Sequence, residues 1–177
     1  MRPVYLIGFM GCGKTTLGRA VARAASLRFI DLDEYIEQKT GMTVRRYFEV
    51  HGEPSFRQAE RDALAEVSSL SDVIIACGGG TPCQPGLMDM MLRSGTAVWL
   101  ETPIDVLTRR LAEARSTRPL IASLTDDQLP AFIASRLADR SPHYSRATER
   151  FDSSRLESVE QIAVSVDLFI KRFINNR

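Results

Sequence analysis

The sequence predicts an α/β protein with a mostly parallel sheet. Short apolar runs alternate along the chain with longer segments whose apolar residues have helical spacing. The apolar runs are predicted to be strands, at residues 4–9, 28–31, 73–76, 97–100 and 150–152. The first and third runs pass directly into glycine-rich segments, a position at which open α/β sheets bind ligands.

Helical spacing between these runs predicts the remaining elements. Thr43 can cap one helix and Pro54 can begin the next, so the chain is expected to break between them. Helices are expected at residues 15–25, 43–51, 54–69, 85–93, 104–112, 128–139 and 158–173. Because there is no repeat or linker, the 177 residues are expected to form one domain, 1–177.

Composition argues against several classes of partner. The net charge is +1, so neither nucleic acid nor a membrane surface is expected. The apolar runs are too short to span a bilayer, and the N-terminus lacks the pattern of a secretory leader. We therefore expect a cytoplasmic monomer in which Cys12, Cys77 and Cys83 are reduced thiols.

The first glycine-rich segment, Gly8-Phe9-Met10-Gly11-Cys12-Gly13-Lys14-Thr15, matches the pattern Gly-x-x-x-x-Gly-Lys-[Ser/Thr]. Its glycines let the backbone turn N–H groups toward a phosphate, and the next helix adds the partial positive charge of its N-terminus. Lys14 can reach the β- and γ-phosphates of ATP, and the Thr15 hydroxyl can ligate Mg²⁺. The alternative is a glycine turn with an incidental lysine.

Other nucleotide-binding classes fit less well. Guanine specificity usually accompanies an Asn-Lys-x-Asp segment, but the asparagines of this chain are Asn175 and Asn176, at its end. A motor ATPase would need more chain than 177 residues provide.

Two carboxylates follow the second predicted strand. If the extended geometry continues through Asp33, its side chain and that of Asp31 project to the same side of the sheet. Beside a nucleotide phosphate, one carboxylate can order Mg²⁺ through water and the other can hold an acceptor hydroxyl. The alternative is that Asp33 caps a helix beginning at Glu34.

Several segments in order resemble the shikimate kinase family. They are the phosphate loop, Phe29-Ile30-Asp31-Leu32-Asp33 with Ile36-Glu37, Phe56-Arg57-Gln58-Ala59-Glu60, Gly78-Gly79-Gly80, Arg118-Pro119-Leu120 and Arg140-Ser141-Pro142-His143-Tyr144. The resemblance implies a three-layer α/β sandwich with a five-stranded parallel sheet, as in P-loop NTPases of the nucleoside-monophosphate-kinase type. It also implies a mobile lid at about 113–127 and a shikimate-binding helical region at about 33–62.

The implied activity is a phosphotransferase reaction. ATP, with Mg²⁺ as cofactor, phosphorylates the 3-hydroxyl of shikimate on the route to chorismate and the aromatic amino acids. The residues implied to be catalytic are Lys14, Asp33 and Arg118. Those implied to bind ATP are Gly11, Cys12, Gly13, Lys14, Thr15, Thr16, Arg110, Arg118 and Arg155. Those implied to bind shikimate are Asp33, Arg57, Gly79, Gly80 and Arg140, while Thr15 and, through water, Asp31 would hold the metal.

Each implied role has a plainer alternative. Arg57 and Glu60 are three apart on a predicted helix, so Glu60 can orient the guanidinium, but a surface ion pair has the same spacing. Arg118 could be a solvated loop charge and Arg140 a helix C-terminal charge. The glycine triplet could be a flexible turn.

The sequence also predicts how the lid moves and how two cysteines react. The lid has little apolar content to hold it in place, so Arg118 is expected to reach the phosphates only when the lid is shut. Cys12 and Cys77 are expected to make the protein sensitive to thiol oxidants. Rival functions are another small-metabolite kinase, such as a gluconate kinase, and a nucleotide-binding regulatory protein that has lost catalysis.

Overall fold

A five-stranded parallel sheet forms the middle layer of the computed structural model, which describes residues 1–115 and 118–175. Its strands are β1 (Val4–Ile7), β2 (Arg28–Asp31), β3 (Val73–Ala76), β4 (Thr96–Glu101) and β5 (Glu149–Asp152). They lie in the order β2-β3-β1-β4-β5, and every neighbouring pair is parallel. All five predicted strands are present, although β1 ends before Gly8, whose φ of 140° turns the chain.

Seven α-helices cover the sheet within the described residues. They are α1 (Lys14–Ala24), α2 (Leu32–Thr40), α3 (Val44–Val67), α4 (Leu87–Ser94), α5 (Ile104–Glu113), α6 (Gln128–Tyr144) and α7 (Val159–Phe173), with 3₁₀ turns at Thr81–Cys83 and Pro119–Ile121. No described helix has both the length and the apolar character needed to cross a membrane.

The predicted break before Pro54 is present inside α3. Gly52 has φ 76° and ψ 170°, which is not helical, so two helical segments meet there at a kink. Thr43 caps the first segment as predicted, because its side chain accepts a hydrogen bond from the Arg46 N–H.

The start of α2 differs from the prediction. The sequence left open an extended chain through Asp33 or a helix beginning at Glu34, but α2 begins at Leu32 and Asp33 is helical. Asp31, not Asp33, is the N-cap, since its carboxylate accepts a hydrogen bond from the Asp33 N–H at 3.1 Å. The two carboxylates are therefore neighbours because both lie at the N-terminus of α2. The alternative that Asp33 caps this helix is wrong.

Two apolar layers hold the sheet between the helices. Side chains alternate along β1, so Val4 and Leu6 face one core cluster while Tyr5 and Ile7 face the other. All four are fully buried. This confirms the three-layer sandwich and places β1 at its centre, with the loop after β1 beside the loops after β3 and β4.

Close approach of the β1 and β4 segments depends on Gly95. A Cβ added there would lie 2.1 Å from the Pro3 carbonyl oxygen, which accepts the hydrogen bond from Thr96 N–H. We expect Gly95→Ala to lower the free energy of unfolding by about 3 kcal/mol or more, because backbone must move to relieve the clash.

Gly41→Ala is the matched control for this substitution. Gly41 has φ 68° at the end of α2, but no atom lies within 4 Å of an added Cβ. This variant should lose only ~1 kcal/mol, the strain of left-handed backbone alone. Equal losses in urea unfolding of the two variants would contradict the packing role of Gly95.

Candidate active site

The loop after β1 has the backbone conformation of a phosphate cradle. Gly8, Gly11 and Gly13 all have positive φ, and Gly13 is the N-cap of α1. A Cβ on Gly13 would lie 2.4 Å from Cδ1 of Leu156, so the Leu156 side chain packs directly against this glycine. Because α1 begins at Lys14, its unpaired N–H groups and partial positive charge face the same space.

The ammonium of Lys14 is folded over this loop. Its Nζ donates to the carbonyls of Gly8 at 2.8 Å and Phe9 at 3.0 Å. Cys12 is buried beneath the loop, with its Sγ 3.7 Å from Lys14 Nζ and its N–H bonded to the Phe9 carbonyl at 3.2 Å. Lys14 can therefore reach an anion held in the loop by exchanging these carbonyl contacts, whereas the Cys12 N–H is already bonded within the loop.

The side-chain oxygens of Thr15 and Asp31 lie together beside the start of α1. The Thr15 hydroxyl donates to Asp31 Oδ2 at 2.8 Å, and both residues line the cleft. The described residues contain no cluster of three or more His, Cys, Asp or Glu side chains able to hold a metal. This donor set suits Mg²⁺, which is usually held by one or two protein oxygens together with waters and phosphate oxygens.

Asp33 lies across the cleft from the loop. Burial, and after it the charges of Asp31 and Glu60, together raise the pKa of its carboxyl to about 6 against the opposing effect of Lys14. A Cβ added to Gly78 would lie 3.3 Å from both Asp33 Oδ1 and Glu60 Oε1. The glycine therefore allows two carboxylates to lie close together.

Glu60 is buried and surrounded by donors. Only 2% of the residue is exposed, and its carboxylate accepts hydrogen bonds from Arg57 at 2.5 Å, Thr81 at 2.7 Å and Gln84 at 2.7 Å. The expected Arg57–Glu60 contact is present, and burial of Glu60 excludes a simple surface ion pair. Thr81 and Gln84 were not predicted to belong to the site. Their position after the glycine triplet, which was predicted to bind the substrate, could have indicated them.

Arg57 and Arg140 approach neighbouring glycines. A Cβ on Gly79 would lie 3.1 Å from Arg140 Nη1, and one on Gly80 would lie 3.6 Å from Arg57 Nη1. Both guanidinium charges also act on Cys83: burial raises the pKa of its thiol, and the two arginines oppose that rise. The glycine triplet therefore lies against two cations, and Arg140 is not placed as a helix-end charge.

The two arginines differ in their counter-charges. Arg57 also donates to the exposed carboxylate of Glu53 at 2.9 Å and 3.1 Å, so it is paired twice. Arg140 forms no ion pair with any carboxylate of the described residues, and its guanidinium lies 5.5 Å from the centre of the Phe9 ring. Arg140 therefore contributes the less compensated positive charge.

A cleft of about 860 Å³ lies between the phosphate loop, Asp33 and the first two glycines of the triplet, and Arg57, Gly80 and Arg140 adjoin it without lining it. It is lined by Met10, Gly11, Gly13, Lys14, Thr15, Thr16, Asp31, Asp33, Ala76, Cys77, Gly78, Gly79, Arg109, Arg110, Glu113, Arg118, Leu156 and Glu157. Met10 and Glu113 belong to the predicted phosphate loop and lid, whereas Arg109, Leu156 and Glu157 were not predicted as site residues. Leu156 could have been noticed as an isolated apolar residue in a polar segment.

Arg118 and Arg110 reach the cleft by different means. Nε of Arg118 is buried and has no hydrogen-bond partner among the described residues, as expected of a donor that awaits an anion. Arg110 is braced by the carbonyls of Ser153 at 3.1 Å and Ser154 at 3.0 Å. Its guanidinium therefore fixes the segment after β5 beside the phosphate loop.

Arg155 is not brought to this cleft. It lines a separate cavity of about 760 Å³ beside α7. The reason is local: Leu156 turns inward against Gly13, so the adjacent Arg155 is exposed on the other side. Its expected place beside ATP is not supported by the geometry.

The segment expected to be a lid has an apolar anchor that the sequence analysis missed. Ile121 is fully buried in a core cluster, and Leu124 packs against that cluster. Ser116 and Thr117 of the expected lid lie outside the described residues. The segment is therefore held at Ile121, and any opening must involve the residues on either side of this anchor.

The expected sensitivity to oxidants is also not supported. Cys12 is 1% and Cys77 2% exposed. Burial raises the pKa of the Cys77 thiol, which disfavours the reactive thiolate.

Comparison with known proteins agrees with this geometry. The family model described as shikimate kinase matches residues 10–171. A shikimate kinase of Phocaeicola vulgatus is 45% identical over 172 residues, which cover 97% of this chain and 98% of that protein.

Solved structures show the same relationship. The crystal structure of shikimate kinase from Bacteroides thetaiotaomicron has a TM-score of 0.92 at 42% identity and covers 96% of this chain and 97% of its own. Shikimate kinase from Acinetobacter baumannii, solved in complex with shikimate, has a TM-score of 0.81 at 30% identity and covers 97% of this chain and 92% of its own. The resemblance in sequence and the predicted fold are confirmed: the chain belongs to the shikimate kinase family.

Proposed function

We propose that this chain transfers the γ-phosphoryl group of ATP to the 3-hydroxyl of shikimate, giving ADP and shikimate 3-phosphate. The observation that carries the proposal is the meeting of a phosphate loop with an arginine pair and Asp33 at one edge of the sheet. The curated relatives described above are named shikimate kinase, and the Acinetobacter baumannii relative was solved with shikimate.

The phosphate end of the site consists of the loop, the start of α1 and Arg118. The backbone at Gly11 and Gly13, with Thr15 and Thr16 at the start of α1, would surround the phosphates of ATP. Lys14 would exchange a carbonyl contact for the β- and γ-phosphates. Arg118, whose Nε has no partner, would add positive charge to the group in transfer.

Mg²⁺ would be held by Thr15 directly and by Asp31 through water. When bound, the ion neutralises the charge that develops on the phosphate oxygens. Thr15 and Asp31 are already hydrogen-bonded at 2.8 Å, so the protein holds the two oxygens side by side.

The acceptor end consists of Asp33, Arg57, Gly79, Gly80 and Arg140. A carboxylate needs donors of matching geometry, which the two guanidinium groups provide. The substrate carboxylate would replace Glu53 on Arg57, because Glu53 is exposed, while the buried Glu60 would keep its bond. Absence of side chains at Gly79 and Gly80 would let the ring lie against backbone.

Asp33 would accept a hydrogen bond from the 3-hydroxyl of shikimate. With its pKa raised to about 6, the carboxyl is ionised at neutral pH yet more basic than an exposed aspartate. A loose phosphoryl-transfer transition state needs little deprotonation of the attacking hydroxyl, so orientation of that hydroxyl is the main role we assign to it.

We also propose roles for larger parts of the chain. Residues 113–127 would close over ATP around the Ile121 anchor and exclude water, and residues 33–62 would form the shikimate-binding region. All groups named above come from one chain, which supports a monomer of one domain. Use of ATP and the three free thiols support a cytoplasmic reaction.

The rival functions account for fewer observations. A gluconate kinase would need the phosphate loop but does not explain both arginines at the glycine triplet. A regulatory protein without catalysis does not explain why Lys14, Thr15, Asp31 and Asp33 all line one cleft.

An assay of ADP release across acceptors tests the proposed activity. With ATP and Mg²⁺, we expect release to depend on shikimate and to be negligible with gluconate or nucleoside monophosphates. Lys14→Ala should abolish turnover while leaving the fold intact. ADP release that is independent of shikimate, or greater with another acceptor, would overturn the proposal.

Substitution of Asp33 tests its assigned role. Asp33→Asn should lower kcat by roughly 10²-fold or more, because the amide is a poor acceptor for the hydroxyl proton. In the parent protein, kcat/KM for shikimate should fall as the pH drops through about 6, where the pKa of Asp33 lies.

The same variant has an opposite expected effect on stability. The pKa of Asp33 rises from 3.8 to about 6 on folding, so the native state binds more protons between these values and loses stability as the pH rises through them. Asp33→Asn should therefore be more stable than the parent by about 2 kcal/mol at pH 8, and this gain should disappear below pH ~4. Equal stability at pH 8 would contradict the raised pKa.

A further inference from the structure

The hydroxyl of Tyr144 makes a contact that the proposed roles do not use. Tyr144 is the last residue of α6, is fully buried, and packs its ring 5.7 Å from that of Trp99. Its hydroxyl donates to the Gly79 carbonyl at 2.5 Å. Burial raises the pKa of this phenol, so its proton is retained and it remains a donor.

This contact acts on the peptide between Gly79 and Gly80. A trans peptide is planar, so the direction of the Gly79 carbonyl also sets the direction of the Gly80 N–H. Thr81 N–H bonds to the Gly78 carbonyl at 3.1 Å, but the Gly80 N–H has no acceptor among the described residues. It is therefore a free donor whose direction depends on the bond from Tyr144.

Neither glycine can hold this orientation by itself. Glycine is the residue with the widest choice of backbone conformations, and it has no side chain to pack. Arg140 Nη1 lies 3.1 Å from the position of a Cβ added to Gly79, and Arg140 also opposes the rise in the pKa of the Tyr144 phenol, so the two groups lie close together. Arg140 and Tyr144 are one helical turn apart on α6, so one helix places both the guanidinium and the hydroxyl against the same glycine.

We infer that Tyr144 is a positioning residue for the acceptor: its hydroxyl holds the Gly79–Gly80 peptide in the orientation that binds a hydroxylated carboxylate beside Arg140. This inference rests on the proposed function, because it assigns the acceptor end to shikimate. It concerns acceptor binding, since the hydroxyl of Tyr144 bonds to Gly79, which belongs to the acceptor end.

Tyr144→Phe tests the inference by removing the hydroxyl and keeping the ring against Trp99. Initial rates with shikimate and ATP varied in turn should show KM for shikimate raised about tenfold, as expected for one lost buried hydrogen bond. KM for ATP should change less than about twofold, because the phosphate loop is untouched.

Tyr5→Phe is the matched control. Tyr5 is also fully buried in the same core cluster, and its hydroxyl bonds to Ser68 at 2.9 Å and Ser94 at 2.7 Å, away from the cleft. Both variants lose a buried hydroxyl and should lose similar stability, but Tyr5→Phe should leave both Michaelis constants unchanged.

The possible outcomes distinguish a failure of the Tyr144 role from a failure of the proposed shikimate kinase activity. A parent protein that does not use shikimate refutes the proposed function itself. If the parent is active and Tyr144→Phe keeps the parental KM for shikimate, the inference is wrong. If both Michaelis constants rise together in Tyr144→Phe, or if the variant loses its cooperative unfolding transition, Tyr144 acts only as a structural core residue. Either result would also overturn the inference.

Discussion

The buried carboxylate of Glu60 organises the acceptor end of this site. A charge that is 2% exposed is tolerated only when donors surround it, and here three do so. Arg57 comes from the same helix, whereas Thr81 and Gln84 come from the turn after β3. Glu60 therefore joins α3 to the glycine triplet, and its charge adds to the burial that raises the pKa of Asp33.

The sheet order brings the phosphate end to the same place. Because β1 lies between β3 and β4, the phosphate loop leaves the sheet beside the glycine triplet. Asp31 follows β2 and reaches Thr15 at the start of α1. Groups that are distant in the sequence thus meet where parallel strands end, which is the usual ligand position in an open α/β sheet.

The distribution of charge supports the proposed preference for an acidic acceptor. Arg57 is balanced by Glu60 and Glu53, so its main contribution is geometry. Arg140 has no carboxylate partner in the described part of the chain and rests on Phe9. An anionic acceptor can compensate that charge, whereas a neutral polyol cannot.

Much of the fold and the phosphate loop could be predicted from local sequence patterns. The strands, the phosphate loop and the break near Pro54 depend on short-range sequence signals, and the structure contains them. Contacts between segments that are far apart in the sequence could not be predicted in this way. The bond from Tyr144 to Gly79 spans 65 positions, and no spacing in the sequence announces it.

The errors have similar physical causes. Asp33 was placed on an extended chain because Asp31 was not recognised as a helix cap. Arg155 was assigned to ATP although Leu156, its neighbour, takes the inward position. Ile121 was overlooked as an anchor because the few apolar residues of its polar segment show no helical or strand periodicity.

The central claim is that Arg140 supplies the charge that selects a carboxylate acceptor. The most direct test compares kcat/KM for shikimate with that for its uncharged carboxamide, in the parent and in Arg140→Ala. The parent should prefer shikimate by about 10²-fold, the scale of a charge-assisted contact, and the preference should fall below about tenfold in the variant. Equal use of both acceptors by the parent, or a preference unchanged in Arg140→Ala, would contradict the account.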